Sequence, residues 1–495
     1  MNSKERKMYL DRPQKQIVER PNKVLQFGEG NFLRAFVDYI IDCSNEAGVF
    51  DGNITVVKPI AYGSFERFKK QNNLYTVILR GIKNEETSVE KHIVTSISNT
   101  VDPFTQFDEY VKLMENEDFR FFVSNTTEAG IVFSEADKFS DKLPVTFPAK
   151  VTKLLYQRYM LFEGDLSKGF IFLPVELIEK NGDNLKKCIL QYCSLWKMEK
   201  EFTDWVEQAN IFCNTLVDRI VSGYPKLEEE QLWQEMGYKD ELMVTGEPFG
   251  FWAIGSEGIE QVKKELHLQS SVEIVMAEDI EPYKQRKVRI LNGAHTSTVM
   301  GGYLCGKNIV AECMHDDDIR NYMLSCIYDE IIPNIDLDKK QLDDFAASVV
   351  SRFKNPFLNH KLLDICLNST SKWRARVLPS FEDYYNSIGK LPKRLTMSFA
   401  MYIAFYKGLQ KDEDGYYNLR DGERYRMLDD EYALEVYRVN ADKSGDELIK
   451  AVMTDTKLWG TDLAEFQGFY ETVCQYVGEI DEEGMEKTLA KFMKE

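Results

Sequence analysis

The sequence lacks the long apolar run that a membrane span requires. Nowhere in its 495 residues do about 18 consecutive apolar residues occur, and the polar segment MNSKERKMYLDRPQKQ at the start has no apolar core of a signal peptide. Cysteine is also sparse: there are nine, an odd number, without a C-x-x-C pair, which indicates free thiols in a reducing compartment. We therefore expect a cytoplasmic protein.

Basic residues are outnumbered by acidic ones. Lys and Arg total 62 against 81 Asp and Glu, a formal net charge of −19 at pH 7, and this charge repels nucleic acids and anionic lipids at long range. An anionic ligand must therefore meet a local cluster of cations. The five histidines, at 92, 267, 295, 315 and 360, lack the spacing of metal ligands. We expect a small-molecule partner, no nucleic acid, no membrane and no metal.

The sequence does contain the alternating strand and helix signals that are typical of a globular α/β protein. Hydrophobic residues make up 43% of the chain, enough for a packed core, and the length suggests more than one domain. Apolar runs at 24–27, 54–57, 75–79, 121–123 and 169–173 alternate with helix-like stretches such as 32–43, 105–114 and 151–162. This alternation predicts a doubly wound, Rossmann-like parallel sheet.

Beyond residue 280 the strand signals fade and helical periods dominate. We predict an N-terminal Rossmann-like domain over residues 1–276, followed by a mostly α-helical domain over 277–495. The charged stretch 411–446, which contains Gly415, Gly422 and Gly445, is predicted to be a solvated loop-and-helix insert.

The first predicted strand is followed by the turn Gly28-Glu29-Gly30 at the start of a helix. Glycines there let the backbone approach a pyrophosphate, and free amides at the helix start stabilise its charge. The fingerprint G-x-G-x-x-G is incomplete, because Leu33 occupies its third glycine position. The turn favours dinucleotide binding, although a plain strand-to-helix connection remains an alternative. Arg34, one turn into the helix, suits a phosphate or an acidic neighbour.

The second predicted strand does not end in the acid that usually binds the cofactor's ribose. Lys58 and Pro59 follow it, and Asp51 precedes it. As a cation at this position, Lys58 would suit the 2′-phosphate of NADP, so NADP in place of NAD remains an alternative. A nucleotide-binding methyltransferase and a non-catalytic nucleotide sensor remain alternative functions, but neither requires the motif at residues 287–295.

The segment KVRILNGAH, residues 287–295, brings three polar side chains to one helix face. At about 100° per residue, Lys287, Asn292 and His295 fall within roughly 140°. A lysine can transfer protons if its pKa falls from about 10.4 towards about 7–8, an amide can donate to a growing negative charge, and a histidine can orient a hydroxyl. The segment indicates a proton-transfer site; the alternative is a surface lysine, an amide cap and a core histidine.

GEGNFLRAF and KVRILNGAH together resemble the mannitol dehydrogenase family of long-chain, metal-independent polyol dehydrogenases, which share a G-x-G-x-x-x-R-A loop and a K-x-x-x-x-N-x-x-H site. The resemblance runs nearly end to end through the blocks LYTVILRG, SNTTEAGI, FPAKVTKLLYQR, NTLVDRIVSGYP, YDEIIP and SRFKNPFLNHKLL. It implies an oxidoreductase acting on CH–OH groups, NAD as cofactor, and a helical C-terminal domain that carries the substrate and catalytic residues.

Residue by residue, the resemblance implies Lys287 as the acid/base, Asn292 as the amide that polarises the carbonyl, and His295 as the histidine of the site. A substrate-pocket aspartate of the family matches Asp218. The implied cofactor-binding residues are Val24, Leu25, Gln26, Phe27, Gly28, Glu29, Gly30, Asn31, Phe32, Leu33, Arg34, Ala35, Ser124, Asn125 and Thr126.

The blocks are most similar to the hexuronate branch of the family. This implies reversible, NAD-dependent reduction of D-tagaturonate to D-altronate in hexuronate catabolism, with fructuronate or another polyol substrate as the alternative, by a monomer or small homo-oligomer. The chain departs from mannitol dehydrogenases where Leu177 replaces a second carbonyl-binding amide. Asn181 or Asn184 would have to compensate.

A hexuronate carries a carboxylate that mannitol lacks, so the substrate needs a cation. The candidates are Lys372, Arg374 and Arg376, with His360 and Arg352 next in line. If their segment is extended, the charges at 372, 374 and 376 all point one way; if it is helical, 372 and 376 share a face and 374 is turned away. A solvated basic strip is the alternative.

Overall fold

The computed structural model describes residues 9–10, 17–83, 86–127, 129–443 and 445–494. The chain divides into two compact units: unit 1 is Met1–Ile280 and unit 2 is Glu281–Glu495. The predicted domain boundary, 276/277, lies a few residues before this division. Within the described ranges, no helix combines the length and the apolar character needed to cross a membrane.

Unit 1 contains a parallel sheet and smaller antiparallel or mixed sheets. Its strands are β1 (Asn22–Phe27), β2 (Asn53–Val57), β3 (Tyr75–Lys83), β4 (Glu86–Val94), β5 (Ile97–Val101), β6 (Phe121–Ser124), β7 (Ile171–Pro174), β8 (Ile211–Phe212), β9 (Asn214–Asp218), β10 (Val221–Gly223), β11 (Val244–Gly246), β12 (Phe251–Gly255) and β13 (Glu273–Ala277). The parallel sheet has the order β5-β2-β1-β6-β7-β8. The order reverses between β1 and β6, as in a doubly wound Rossmann fold, which confirms the predicted fold class.

The helices of unit 1 pack against this sheet and against the smaller sheets. They are α1 (Asn31–Ala35), α2 (Val37–Glu46), α3 (Glu66–Lys70), α4 (Phe107–Lys112), α5 (Phe147–Leu161), α6 (Asn181–Leu195), α7 (Lys200–Ala209), α8 (Glu229–Met236) and α9 (Ile259–Glu265). Residues alternate between two apolar clusters along each strand, so that Val24 faces one and Leu25 the other. Four stacked or tilted rings cross neighbouring strands on one face: Phe27, Phe122, Phe172 and Phe212.

Two details of unit 1 differ from expectation. The strand predicted at 75–79 lies in a separate sheet, ordered β10-β11-β3-β4, and pairs antiparallel with β4. The helix predicted over 32–43 is interrupted at Phe36. The hydroxyl of Tyr75 donates to the carbonyl of Arg34 at 3.0 Å, and Arg219 donates to the carbonyl of Ala35 at 2.7 Å. Two carbonyls that would accept from backbone amides in a continuous helix thus accept hydrogen bonds from side chains instead.

Unit 2 is mostly helical, as predicted. Its helices are α10 (Glu281–Arg286), α11 (Gly293–Leu304), α12 (Val310–His315), α13 (Asp317–Ser325), α14 (Lys339–Phe353), α15 (Leu362–Ile365), α16 (Ser369–Arg376), α17 (Leu378–Ile388), α18 (Lys393–Tyr406), α19 (Glu431–Val439), α20 (Gly445–Met453), α21 (Thr456–Trp459), α22 (Phe469–Glu483) and α23 (Met485–Phe492). Two π-helical turns, Lys287–Asn292 and Cys326–Ile331, interrupt this pattern.

The core of unit 2 is built on α11 and α18. A Cβ placed on Gly301 in α11 would lie 2.3 Å from the sulfur of Met401 in α18, so a larger residue there would require the side chain of Met401 to move. Trp373, fully buried on α16, contacts Phe399 edge-on with 4.8 Å between ring centroids. Trp373 therefore fixes the rotation of α16, and with it the directions of the basic side chains on this helix.

Residues 410–426 form a small antiparallel sheet, which the prediction of a loop-and-helix insert over 411–446 missed. Its strands are β14 (Gln410–Asp412), β15 (Gly415–Arg420) and β16 (Glu423–Arg426), followed by α19. Asp421 and Gly422 connect β15 to β16 with φ of 54° and 83°. Positive φ at both central residues is the geometry of a tight hairpin turn, and Asp-Gly is a favoured sequence for it.

Candidate functional site

A pocket of about 450 Å³ opens at the carboxyl ends of the parallel strands in unit 1. Its walls are the glycine turn 28–30 after β1, Pro59 and Ile60 after β2, residues from the segment 125–132 after β6, and the start of α5. This is the point where the strand order of the sheet reverses. Open α/β sheets bind ligands at such a point.

Gly28 is required by the shape of the turn. Its φ is +124°, and a Cβ there would lie 2.9 Å from Cδ1 of Leu33 and 3.0 Å from the carbonyl oxygen of Asn125. The space beside Gly30 is open, with no atom within 4 Å of a Cβ built on it. The first glycine thus allows the turn, and the second leaves its backbone accessible from the pocket.

Leu33 and Arg34 support the turn from inside the protein. Leu33, at the position of the missing third glycine, is buried in an apolar cluster. Arg34 is also buried; it donates to the carbonyl of Leu242 and, at 2.5 Å, to Oδ1 of Asn31. Arg34 therefore holds the turn in place, and the structure does not aim it at a phosphate in the pocket.

The segment Ser124-Asn125-Thr126 is positioned by a residue that the sequence analysis did not assign a role. Glu176 is buried, and one carboxylate oxygen accepts from the amide of Thr126 at 3.0 Å while the other accepts from the hydroxyl of Ser124 at 3.1 Å. The amide of Asn125 donates to the carbonyl of Phe27 at 3.1 Å. Asn125 and Thr126 line the pocket, so Glu176 sets the shape of its wall.

Two lysines lie near this pocket. Lys58, which follows β2, is buried and donates to Asp102 at 2.5 Å and to the carbonyl of Gly63 at 3.2 Å. Lys150 lines the pocket from the first turn of α5 and donates to the carbonyl of Val145 at 2.7 Å. Burial lowers the pKa of Lys150 to about 8. The block FPAK contains Lys150, but no sequence signal distinguished it from other helical lysines.

The candidate catalytic residues of unit 2 lie where α10 meets α11. Lys287 and Asn292 are the first and last residues of the π-helical turn, and His295 lies in the first turn of α11. All three side chains are half-buried. A π-helical turn advances by less than 100° per residue, so the angles predicted for a regular helix do not apply to these three residues. Such turns occur often at functional sites.

His295 lies in an apolar and cationic surrounding within unit 2. Its ring stacks on that of Phe353, with 4.0 Å between centroids. Burial is the main reason why the pKa of His295 falls to about 3. Four basic side chains nearby lower it further: His360, Arg352, Arg376 and Lys372. The imidazole is therefore neutral, and the four basic side chains that act on it are all predicted or next-in-line substrate residues.

The helical alternative for residues 372–376 is the one found. In α16, Lys372 and Arg376 share a face, and burial lowers the pKa of both side chains. A Cβ built on Gly293, at the start of α11, would lie 3.3 Å from the carbonyl of Arg376, so the two helix ends touch. Arg374 points away and donates to the carbonyls of Lys457 and Leu458 at 3.4 Å. The structure does not bring Arg374 to His295.

Two family models match the chain. The mannitol dehydrogenase Rossmann domain matches residues 22–270, and the mannitol dehydrogenase C-terminal domain matches residues 279–481. The chain belongs to the mannitol dehydrogenase family. The predicted resemblance is thereby confirmed, and so is the prediction of an oxidoreductase acting on CH–OH groups.

Similar proteins of this family include curated relatives and solved structures. Altronate oxidoreductase of Yersinia enterocolitica is 42% identical over 95% of this chain and 97% of its own length; that of Escherichia coli O139:H28 is 40% identical over 95% and 97%. Pseudomonas fluorescens mannitol 2-dehydrogenase, solved with NAD and D-mannitol, has 21% identity and a TM-score of 0.66 over 100% of this chain and 99% of that chain. A substrate-free D-sorbitol dehydrogenase has 19% identity and a TM-score of 0.76 over 97% and 100%. These structural likenesses show the fold.

The departure from mannitol dehydrogenases at Leu177 is not compensated by Asn181. Leu177 is 69% exposed. Asn181 is fully buried, and its amide nitrogen donates to the carbonyls of Pro174 and Glu176 at 3.0 and 3.1 Å. That side chain holds the start of α6 and has no donor to spare for a substrate oxygen. Asp218, which is predicted as a substrate-pocket residue, is the buried last residue of β9 in unit 1.

Proposed function

We propose that this member of the mannitol dehydrogenase family reduces the C5 keto group of D-tagaturonate to give D-altronate, reversibly and with NADH as reductant. Relatives named altronate oxidoreductase, 40–42% identical over 95% of the chain, support this substrate. The observation that carries the proposal is the group of basic side chains around His295. A hexuronate needs such a group for its carboxylate, whereas a neutral polyol does not.

Unit 1 has the features that a nicotinamide dinucleotide needs. The glycine turn, the open space beside Gly30 and the pocket across the ends of β1, β2 and β6 fit a ligand whose phosphates approach the backbone. Gly28, Gly30, Asn125 and Thr126 would hold it. When bound, the cofactor supplies a hydride for reduction or accepts one for oxidation.

The chain's own polar groups handle the proton and the growing charge. During reduction, negative charge develops on the carbonyl oxygen of the substrate, and the amide of Asn292 donates a hydrogen bond to it. Lys287, as an ammonium group, delivers the proton to the same oxygen. The reverse reaction requires neutral Lys287 as the base, so oxidation is favoured at higher pH. Neutral His295 orients a substrate hydroxyl, and the proposed reaction uses no metal ion.

Lys372 and Arg376 are proposed to bind the substrate carboxylate. Burial destabilises the charged form of both side chains, as their lowered pKa values indicate, and an anionic ligand would relieve that cost. A planar guanidinium also binds a carboxylate through two parallel hydrogen bonds. The charges of Arg352 and His360 act on the same histidine. Arg374 is no longer a candidate, since it faces α21.

The test is a comparison of three ketones with the purified full-length protein. NADH oxidation is followed with tagaturonate, fructuronate and fructose, and the highest kcat/KM is expected for tagaturonate. A preference for fructuronate would assign the epimeric activity, and no turnover with any of the three would contradict the proposal.

The same assay after EDTA treatment should retain activity. Activity that is lost and then restored by zinc or manganese would contradict the metal-free proton transfer.

A further inference from the structure

The end of β2 lacks the usual means of telling the two nicotinamide coenzymes apart. Rossmann domains that bind NAD usually have an acid there for the ribose hydroxyls, and those that bind NADP accommodate its phosphate with a cation. Here Lys58 follows β2, but its ammonium group is buried against Asp102 and the carbonyl of Gly63. Asp102 balances this charge inside the protein, so Lys58 does not present an unpaired cation to a 2′-phosphate.

A carboxylate of the glycine turn also approaches the segment that follows β2. Glu29, between the two glycines of the turn, lines the pocket together with Pro59 and Ile60. Its Oε1 atom approaches the segment after β2, because a Cβ built on Gly63 would lie 3.5 Å from it. Gly63 itself has a φ of +86°, a conformation that favours glycine. The turn and the segment after β2 thus meet through a carboxylate and a residue without a side chain.

The environment of this carboxylate is partly apolar. Glu29 is half-buried, and burial raises its pKa from the usual value, while its own backbone amide and the charges of Lys58 and Arg34 act in the opposite direction. A desolvated carboxylate gains more from neutral hydroxyl donors than an exposed one does. It also repels a second anion more strongly, since the local dielectric constant is lower.

We propose that Glu29 selects NAD(H) over NADP(H). The inference rests on the proposed function, in that it requires a dinucleotide in this pocket. The carboxylate of Glu29 accepts hydrogen bonds from the two neighbouring hydroxyls of the adenosine ribose, the task of the acid at the end of the second strand in other Rossmann domains. A 2′-phosphate would remove one of these donors and place further negative charge beside the carboxylate.

The experiment measures coenzyme binding without turnover. NADH and NADPH are titrated separately into the full-length protein, without substrate, and binding is followed by coenzyme fluorescence. Wild type should bind NADH more tightly than NADPH by about tenfold or more. In Glu29→Gln, which keeps the size and removes the charge, NADH should bind about tenfold more weakly, the scale of a lost hydrogen bond to a charged group. NADPH binding should stay equal or improve, so the preference disappears.

Two further variants make the outcome specific. Glu201→Gln removes the same charge from an exposed position on α7 and should leave both dissociation constants unchanged. Lys58→Met should lower thermal stability, because Asp102 loses its partner, but keep the preference for NADH. A preference unchanged in Glu29→Gln, or NADPH binding lost specifically in Lys58→Met, would overturn the role of Glu29. Wild-type protein that binds neither coenzyme would instead overturn the proposed function itself.

Discussion

The imidazole of His295 stacks on the ring of Phe353, with 4.0 Å between the centroids and 21° between the planes. This contact removes one face of the imidazole from water, and burial is the main cause of a pKa of about 3. His295 therefore stays neutral under ordinary assay conditions. It can exchange hydrogen bonds with a substrate without adding a further positive charge to Lys372 and Arg376.

The first prediction concerns stability in acid. The pKa of His295 is about 3 in the folded protein, against an ordinary value of 6.5. Between these values the unfolded chain binds a proton that the folded chain does not, so stability is fully present above about pH 6.5 and is lost as the pH falls towards about 3. His295→Asn should therefore lose less stability than wild type between about pH 7 and about pH 4.5.

Denaturant unfolding at several pH values measures this difference. His267→Asn is the matched control, because His267 is exposed in unit 1, and it should follow the wild-type curve. Parallel curves for wild type and His295→Asn would contradict the assignment of a neutral imidazole.

The second prediction concerns proton transfer. Lys287→Met keeps much of the side-chain volume but removes the ammonium group, so turnover with tagaturonate should fall by about 100-fold or more, the scale of lost general acid catalysis. NADH affinity should change by less than about twofold, because Lys287 is not among the residues that line the pocket of unit 1. Turnover and coenzyme binding are measured on the same preparation. A fall in turnover of less than about threefold would refute the role of Lys287.

The sequence predicted those elements whose signals are local. Apolar runs located β1, β2 and β6, and the glycine turn located the pocket at their ends, because strands and turns leave short-range patterns. The hairpin at Asp421-Gly422 also had such a signal, but the charge density of its surroundings outweighed it. The Lys287–Asn292 π-helical turn left no such signal, since a helical period does not distinguish the two helix types.

Other features depend on residues distant in the chain. The helix is interrupted at Phe36, where Tyr75 and Arg219 donate hydrogen bonds to the two preceding backbone carbonyls. Glu176 shapes the pocket wall from about 50 residues beyond Thr126, with which it shares two hydrogen bonds. Such contacts form only after the chain has folded. Sequence reasoning could therefore propose candidate site residues but not the residues that support them.

The third prediction separates the two glycines of the turn. Gly28→Ala places a Cβ within 3.0 Å of Leu33 and Asn125 at a φ of +124°, so it should lower both the melting temperature and NADH affinity. Gly30→Ala has open space and a φ of −66°, so the protein without ligand should keep its melting temperature. Its NADH affinity should still fall, because the added methyl group occupies space that the cofactor is proposed to use. Thermal unfolding with and without NADH tests both variants; full NADH affinity in Gly30→Ala would place the phosphates elsewhere.

The last prediction concerns how an acidic protein binds an anionic substrate. Lys372 and Arg376 share one face of α16 and the charges of both act on His295, whereas Arg374 points to the carbonyls of Lys457 and Leu458. Lys372→Ala and Arg376→Ala should each raise KM for tagaturonate by about tenfold or more, because a partly buried charged hydrogen bond is lost. Fructose has no carboxylate, so its KM should change little in either variant.

Arg374→Ala is the matched control for this experiment, since it removes a cation from the same helix but from the opposite side. It should leave KM for both ketones unchanged, and a loss of thermal stability alone would agree with its contacts to the end of α21. Steady-state kinetics on the two ketones separate carboxylate binding from general damage to the site, because general damage weakens both substrates alike. Equal losses on tagaturonate and fructose, or no loss in Lys372→Ala and Arg376→Ala, would move carboxylate binding to Arg352 and His360, the other basic side chains that act on His295.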